Sequence, residues 1–415
     1  MSSLINQIAS LYIMKGMRYN HIMPRSSIVR ILSQKIKTAF SPRIFLGFMM
    51  VLFLTACGQS EPGPDIFSLP TNYSVGKKPA ELKARDMNHD GFPDILVCNS
   101  GSDTLSYFEA IGDGTFKQPF TMNTGREPVA LEVGDFDGDG IPDIAISNYG
   151  DGEISIVLGQ KDGVFRQKAS VKVGRLPIAV VAGDFNNDEK LDLAVTLRFD
   201  KLVILLGVGD GSFKTGEIYK ASGTPAYMTV GDFNNDKNLD IAVAFNAVRV
   251  DFIRVFYGNG DGTLKNPVTV KGGKQSSFIT QYDINSDGKN DLLTSSTMND
   301  VIKLFLNTGQ GFTSLEDAAA EKGPQYIVPG DFTGDRIPDL AIANRRDASV
   351  SILQGRGDGT FIFPHFNYPV GASPRAMIGE DFNDDGLTDL ALLLYDSQRL
   401  EIILRKITSP LQIDS

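Results

Sequence analysis

The chain has 415 residues, 40 Lys/Arg against 50 Asp/Glu, and a formal net charge of −10. That balance argues against a nucleic-acid-binding protein, which would present a basic face. Two cysteines, three histidines and no tryptophan leave no disulfide framework and no Cys/His zinc signature.

The charge is uneven along the chain. Residues 1–57 carry seven Lys/Arg and no acidic residue, so the remainder holds 33 basic and 50 acidic side chains. Within this leader, Lys35, Lys37 and Arg43 precede an apolar run over 44–56. The run is too short to span a bilayer comfortably and has the form of a signal-peptide core. It ends Leu54-Thr-Ala-Cys57-Gly58, which resembles the bacterial lipobox. That resemblance implies lipidation of Cys57 and cleavage before it. It also implies anchoring in the cell envelope, with Gly58 rather than Asp favouring the outer membrane. The basic segment is long, and Met14, Met17 or Met23 are alternative starts. Residues 58–65, rich in Pro and Gly, read as a linker, and 408–415 as a tail.

Between them, over 66–407, one pattern returns seven times. Its clearest copy is Asp135-Phe-Asp-Gly-Asp-Gly-Ile-Pro-Asp143. The others begin at Asp86, Asp184, Asp232, Asp283, Asp331 and Asp381, at spacings of 48–51 residues. A period of about 50 signals a repeat architecture. Each unit reads as four strands. In the second these are 128–134, 143–147, 153–158 and 165–173, with a tight Asp-Gly turn at 161–163. Third strands elsewhere fall at 202–206, 253–257, 301–306 and 350–353. Runs such as Leu202-Val-Ile-Leu-Leu206 are apolar on both faces, as expected of sheets packed between neighbours. The sequence therefore predicts an all-β, seven-bladed propeller of four-stranded antiparallel blades. The seventh unit has strands near 374–380, 389–394 and 400–406 and lacks a fourth. Residues 66–75 resemble the fourth strand at 363–371, so they are expected to pair with 400–406 and close the ring.

The acidic loops offer oxygen atoms at positions 1, 3, 5 and 9 and a backbone carbonyl at position 7, the donor set a hard cation such as calcium takes from a short loop. They account for 22 of the 50 acidic residues. The unit Gly134-Asp-Phe-Asp-Gly-Asp-Gly-Ile-Pro-Asp-Ile-Ala-Ile146, with Gly183-Asp-Phe-Asn-Asn-Asp188 and Gly330-Asp-Phe-Thr-Gly-Asp335, resembles the FG-GAP (VCBS-type) repeat of the integrin α-subunit head. In that family the fold is a seven-bladed propeller, and the calcium loop joins the first and second strands of a blade.

Carried onto this chain, the resemblance implies up to seven calcium ions. The first loop would use Asp86, Asn88, Asp90, the Phe92 carbonyl and Asp94. The second would use Asp135, Asp137, Asp139, the Ile141 carbonyl and Asp143. The third would use Asp184, Asn186, Asp188, Lys190 carbonyl and Asp192, and the fourth Asp232, Asn234, Asp236, Asn238 carbonyl and Asp240. The fifth would use Asp283, Asn285, Asp287, Lys289 carbonyl and Asp291. The sixth has Asp331, Asp335, Ile337 carbonyl and Asp339, with Thr333 at position 3. The seventh has Asp381, Asn383, Asp385, Leu387 carbonyl and Asp389. Loops 1, 2, 5 and 7 keep glycine at position 6, where the turn is sharpest, and carry the strongest expectation of calcium. Glu189, Lys237 and Arg336 replace it elsewhere, with Lys237 and Arg336 marking the weakest sites. The bland alternative is that the carboxylates only cap turns.

Other signals are weaker. Arg356-Gly-Asp358 spells an adhesive tripeptide but falls where other units have Gly-Asp-Gly turns. His89 and His365 read as surface residues and Cys98 as a small core residue. No nucleophile motif, phosphate loop or catalytic constellation stands out. The function expected is a calcium-binding, membrane-anchored binding or scaffolding module with a protein or glycan partner. The alternatives are a lectin with sugar sites between blades, using Tyr73, Tyr149 or Tyr227, and an enzyme acting on polysaccharide over the central channel.

Overall fold

The computed structural model describes residues 61–62, 65–247, 250–363 and 365–406. The leader, Cys57 and the tail lie outside them. Seven antiparallel sheets follow one another along the chain. Blade 1 comprises Pro79–Arg85, Asp94–Asn99, Thr104–Phe108 and Phe120–Asn123. The first strands of the later blades are Pro128–Gly134, Pro177–Gly183, Pro225–Gly231, Ser276–Tyr282, Pro324–Gly330 and Pro374–Glu380. Each packs against the first strand of the next blade, and that of blade 7 packs against that of blade 1, so the seven make a closed ring.

The strands differ in burial as their place in a blade requires. All seven second strands are buried along their whole length, for example Asp94–Asn99 and Asp389–Leu394. Apolar side chains on both faces are packed between neighbouring blades, each fully buried one contributing about 1.5–3 kcal/mol. The outer strands alternate with solvent, as Phe213–Lys220 does. First strands begin with proline in six blades. The register slips just after it, as between Pro128 and Ala130, and in blade 5 Ser276 takes that place. A strand's first position and a bulge are where a missing N–H does least harm.

Closure is as the sequence predicts. Thr71–Ser74 pairs antiparallel with Arg399–Ile402, and Phe67 bridges Arg405. Two details differ from expectation. The outer strand of blade 2 is broken into Val164–Gln167 and Val171–Lys172, and Lys161–Gly163 is a 3-10 turn, not a two-residue hairpin turn. Blade 5 is interrupted likewise, at Phe312–Ser314 and Ala318–Ala319. Edge strands with one wet face tolerate such breaks. Glu61–Pro62, within the stretch read as a linker, lies parallel to Phe366–Asn367 on the edge of blade 6.

Candidate metal centres

The seven acidic loops all join first to second strands, so they gather at one end of the ring. Their fold is built from the aspartates themselves. In blade 1, Asp86 accepts the N–H groups of Asp90 and Gly91 (3.2 and 2.9 Å), Asn88 accepts that of Asp90, and Asp90 that of Phe92. In blade 2, Asp135 accepts from Gly138 and Gly140, Asp137 from Asp139, and Asp139 from Ile141. Positions 1, 3 and 5 are thus turned inward before any ion is considered.

The ninth position does a different job. Asp94, Asp143, Asp192, Asp240, Asp291, Asp339 and Asp389 have no exposed surface. Asp143 accepts from the N–H of Phe136 with one oxygen and of Gly159 with the other, both at 2.8 Å. The same pair of bonds is made by Asp94 to Met87 and Ala110 and by Asp389 to Phe382 and Arg405. It therefore ties the loop to the end of the third strand. Burial pushes all seven carboxyls up to about 6 from the usual 3.8.

Position 2 is a functional residue that the sequence reading passed over. Met87, Phe136, Phe185, Phe233, Ile284, Phe332 and Phe382 are all buried. Phe136 packs edge-on against Phe213, Phe233 against Phe312, and Phe382 against Phe116, in each case a residue of the next blade. The N–H groups of Gly211, Gly262 and Gly114 reach back to the carbonyls of Phe136, Phe185 and Phe382. The signal was present: an apolar residue follows the first aspartate in every copy.

Position 6 is left-handed in all seven loops, φ running from 65° at Glu189 to 93° at Gly91. A Cβ at Gly91, Gly140, Gly288 or Gly386 would meet nothing within 4 Å. Space explains how Glu189, Lys237 and Arg336 are accommodated; the cost is backbone strain alone.

The donor sets fit calcium unequally. Oxygens of Asp135, Asp137 and Asp143 lie within 4.8 Å of one another, as ligands 2.3–2.6 Å from a shared ion would. Elsewhere position 3 is asparagine, except for Thr333, which is buried, with its N–H donating to Asp339. Lysines add a difference the loop pattern does not show. Lys289 Nζ lies 3.0 Å from Asp287 and holds its carboxyl below the usual range. Lys265 lies 3.4 Å from Asp236, and Lys190 3.9 Å from Asp188. Loop 5, expected among the strongest, therefore has an ammonium on its fifth-position carboxylate.

The remaining candidates are placed as follows. Asp358 caps its own turn through Thr360, as Asp113 does through Thr115, and Arg356 donates to the Phe361 carbonyl. The tripeptide is thus one copy of a repeated turn. His89 is exposed and Cys98 is buried. His365 is half-buried against Glu321 at 3.1 Å and is not the free surface residue expected. Tyr73 is committed to ring closure, its hydroxyl accepting the Phe116 N–H at 2.9 Å. Tyr149 and Tyr227 line a cavity at the other end of the channel.

A ring of near-identical blades, each opening on an acidic loop, defines a repeat propeller. The FG-GAP-like repeat family matches residues 86–146, 139–195, 184–243, 283–342 and 331–392, and the chain belongs to that family. No curated protein matches it significantly. Among solved structures it is similar to BBS1N in complex with ARL6DN, at 13% identity and a TM-score of 0.61 over 84% of this chain and 99% of that one. It is also similar to a catalytically inactive virginiamycin B lyase from Staphylococcus aureus with quinupristin. There the identity is 14% and the TM-score 0.54, over 82% and 100% of the two chains. A third likeness, to a 6-phosphogluconolactonase from Bacteroides uniformis described there as putative, has 14% identity and a TM-score of 0.54 over 79% and 90%. At these identities the likeness is one of fold.

Proposed function

We propose that this propeller is a calcium-stabilised binding module held at the bacterial cell envelope through Cys57. Propellers of FG-GAP repeats are generally protein-binding modules, and no catalytic constellation is apparent in the sequence. The observation that carries the calcium reading is the convergence of Asp135, Asp137 and Asp143 within 4.8 Å. Asp139 and the Ile141 carbonyl complete the set by position. A bound cation would neutralise the carboxylates crowded at each loop and lock it against the next blade. Its role is thus to stiffen the ring, leaving the opposite end for a protein or glycan partner.

The test is elemental analysis of the purified protein, followed by melting in calcium and in excess chelator. Bound calcium and a chelator-induced fall in Tm are expected, since a ligand of the native state alone stabilises it. Absence of both would leave the loops as turn-formers. Anchoring is tested separately: Cys57→Ala should abolish incorporation of labelled fatty acid and release the protein from the membrane fraction. Retention of both label and membrane association would refute the anchor.

A further inference from the structure

The end of the channel away from the acidic loops holds a cavity of about 520 Å³, lined from the first strands of all seven blades and by residues just after several second strands. That volume lies within the range of small-molecule sites. Tyr227 and Tyr326 line its floor, 5.9 Å between ring centroids, with Phe278 packed behind them at 4.6 and 4.4 Å. Glu81, buried in the same floor, is already engaged, accepting from the Tyr326 hydroxyl at 2.8 Å.

Two other groups are not engaged. Gln325 is 7% exposed and its Oε1 has no hydrogen-bond partner. A buried amide oxygen left unpaired carries an uncompensated desolvation cost, which a ligand that pairs it recovers. Arg375, on the first strand of blade 7, lines the same cavity and forms no ion pair or hydrogen bond among the described residues. It acts electrostatically on Glu81, with which it forms no ion pair and whose carboxylate is bound to Tyr326. Lys78 and Arg198 add positive charge around it, with Arg198 donating to the Tyr149 hydroxyl, against one exposed carboxylate, Glu127.

We infer that this cavity is a binding site for a hydroxylated carboxylate of sugar-acid size, such as a uronic acid residue of a glycan. The carboxylate would be taken by Arg375, whose planar fork matches it bidentately. Ring hydroxyls would pair with the Gln325 amide, which offers both donor and acceptor. The apolar face of the ring would lie on Tyr227 and Tyr326. The site is independent of the metal loops.

The experiment is calorimetric titration of the calcium-loaded protein with D-glucuronate, D-glucose and acetate. Saturable binding of glucuronate is expected, with both glucose and acetate at least about tenfold weaker. Arg375→Gln should reduce glucuronate affinity about tenfold or more with Tm unchanged. Gln325→Leu should weaken glucuronate and glucose alike while raising Tm. If Arg375→Gln fails to fold, the rim variant Arg198→Gln is used and should weaken glucuronate alone. Absence of glucuronate binding at about 10 mM, equal binding of glucose or of acetate, or full affinity in the Arg375 variant would each overturn the assignment.

Discussion

Phe136 and Phe213 meet edge-on, 5.6 Å between ring centroids, although one sits in the acidic loop of blade 2 and the other on the outer strand of blade 3. The ring following the first aspartate is therefore part of the joint between blades. Phe136→Ala should cost about 3–5 kcal/mol, read from denaturant midpoints with chelator present. A loss below about 1 kcal/mol would mean that the joint does not depend on it.

Asp143 and Asp139 belong to the same loop but have separable roles. Asp143 spends both oxygens on buried N–H groups, whereas Asp139 is exposed and spends one on Ile141. Asp143→Asn turns an amide N–H₂ toward a buried N–H and should lower stability in chelator by about 1–3 kcal/mol. Asp139→Asn keeps an acceptor for Ile141 and should leave the chelated protein unchanged while weakening calcium. Equal stability of the two variants in chelator would contradict this division.

The ninth-position carboxyls predict a pH signature. Their folded value is about 6 against about 3.8 unfolded, so the folded state prefers the protonated form. Their contribution to metal-free stability is full below about pH 3.8 and is lost as pH rises through 6. Calcium requires the ionised form, so proton and ion compete. The rise in Tm on adding calcium should therefore grow between pH 5 and 7. Titrations in buffers of different ionisation enthalpy should show proton release on binding near pH 6. Calcium binding without proton release there would exclude these carboxyls as ligands.

At position 6, Lys237 and Arg336 hold φ of 69° and 66°. Lys237→Gly and Arg336→Gly remove that strain, less a smaller gain in unfolded-chain entropy. Each should stabilise the chelated protein by about 1 kcal/mol. The converse, Gly140→Arg, should destabilise by a similar amount. Thermal melts of the three variants check both directions.

Much of this was legible in the sequence for a physical reason: a hard cation and a tight turn both demand oxygen at fixed positions. Hence Asp135, Asp137, Asp139 and Asp143 announce the loop, and seven copies announce the ring. The missing fourth strand at the end of the chain likewise pointed to Thr71–Ser74. What was not legible is contact from beyond the loop itself. Lys265 comes to Asp236 from outside the loop, and Phe213 comes to Phe136 from the next unit. The cavity floor was hidden for a similar reason, since Tyr227 and Tyr326 come from separate repeats, 326 − 227 = 99 residues apart, at a position that each copy fills differently. The broken outer strands of blades 2 and 5 escaped notice because a half-solvated edge constrains its sequence weakly.

The pairing of Thr71 with Ile402 joins the two ends of the described chain. Such a contact spans nearly the whole described chain, and contacts of that kind slow folding. During synthesis Thr71–Ser74 must wait for Arg399–Ile403. Six sheets draw their four blade strands from contiguous stretches, but the seventh needs strands from both ends of the described chain. A chain cut short at its C-terminus would leave both Thr71–Ser74 and the blade 1 flank uncovered, a lure for other nascent chains.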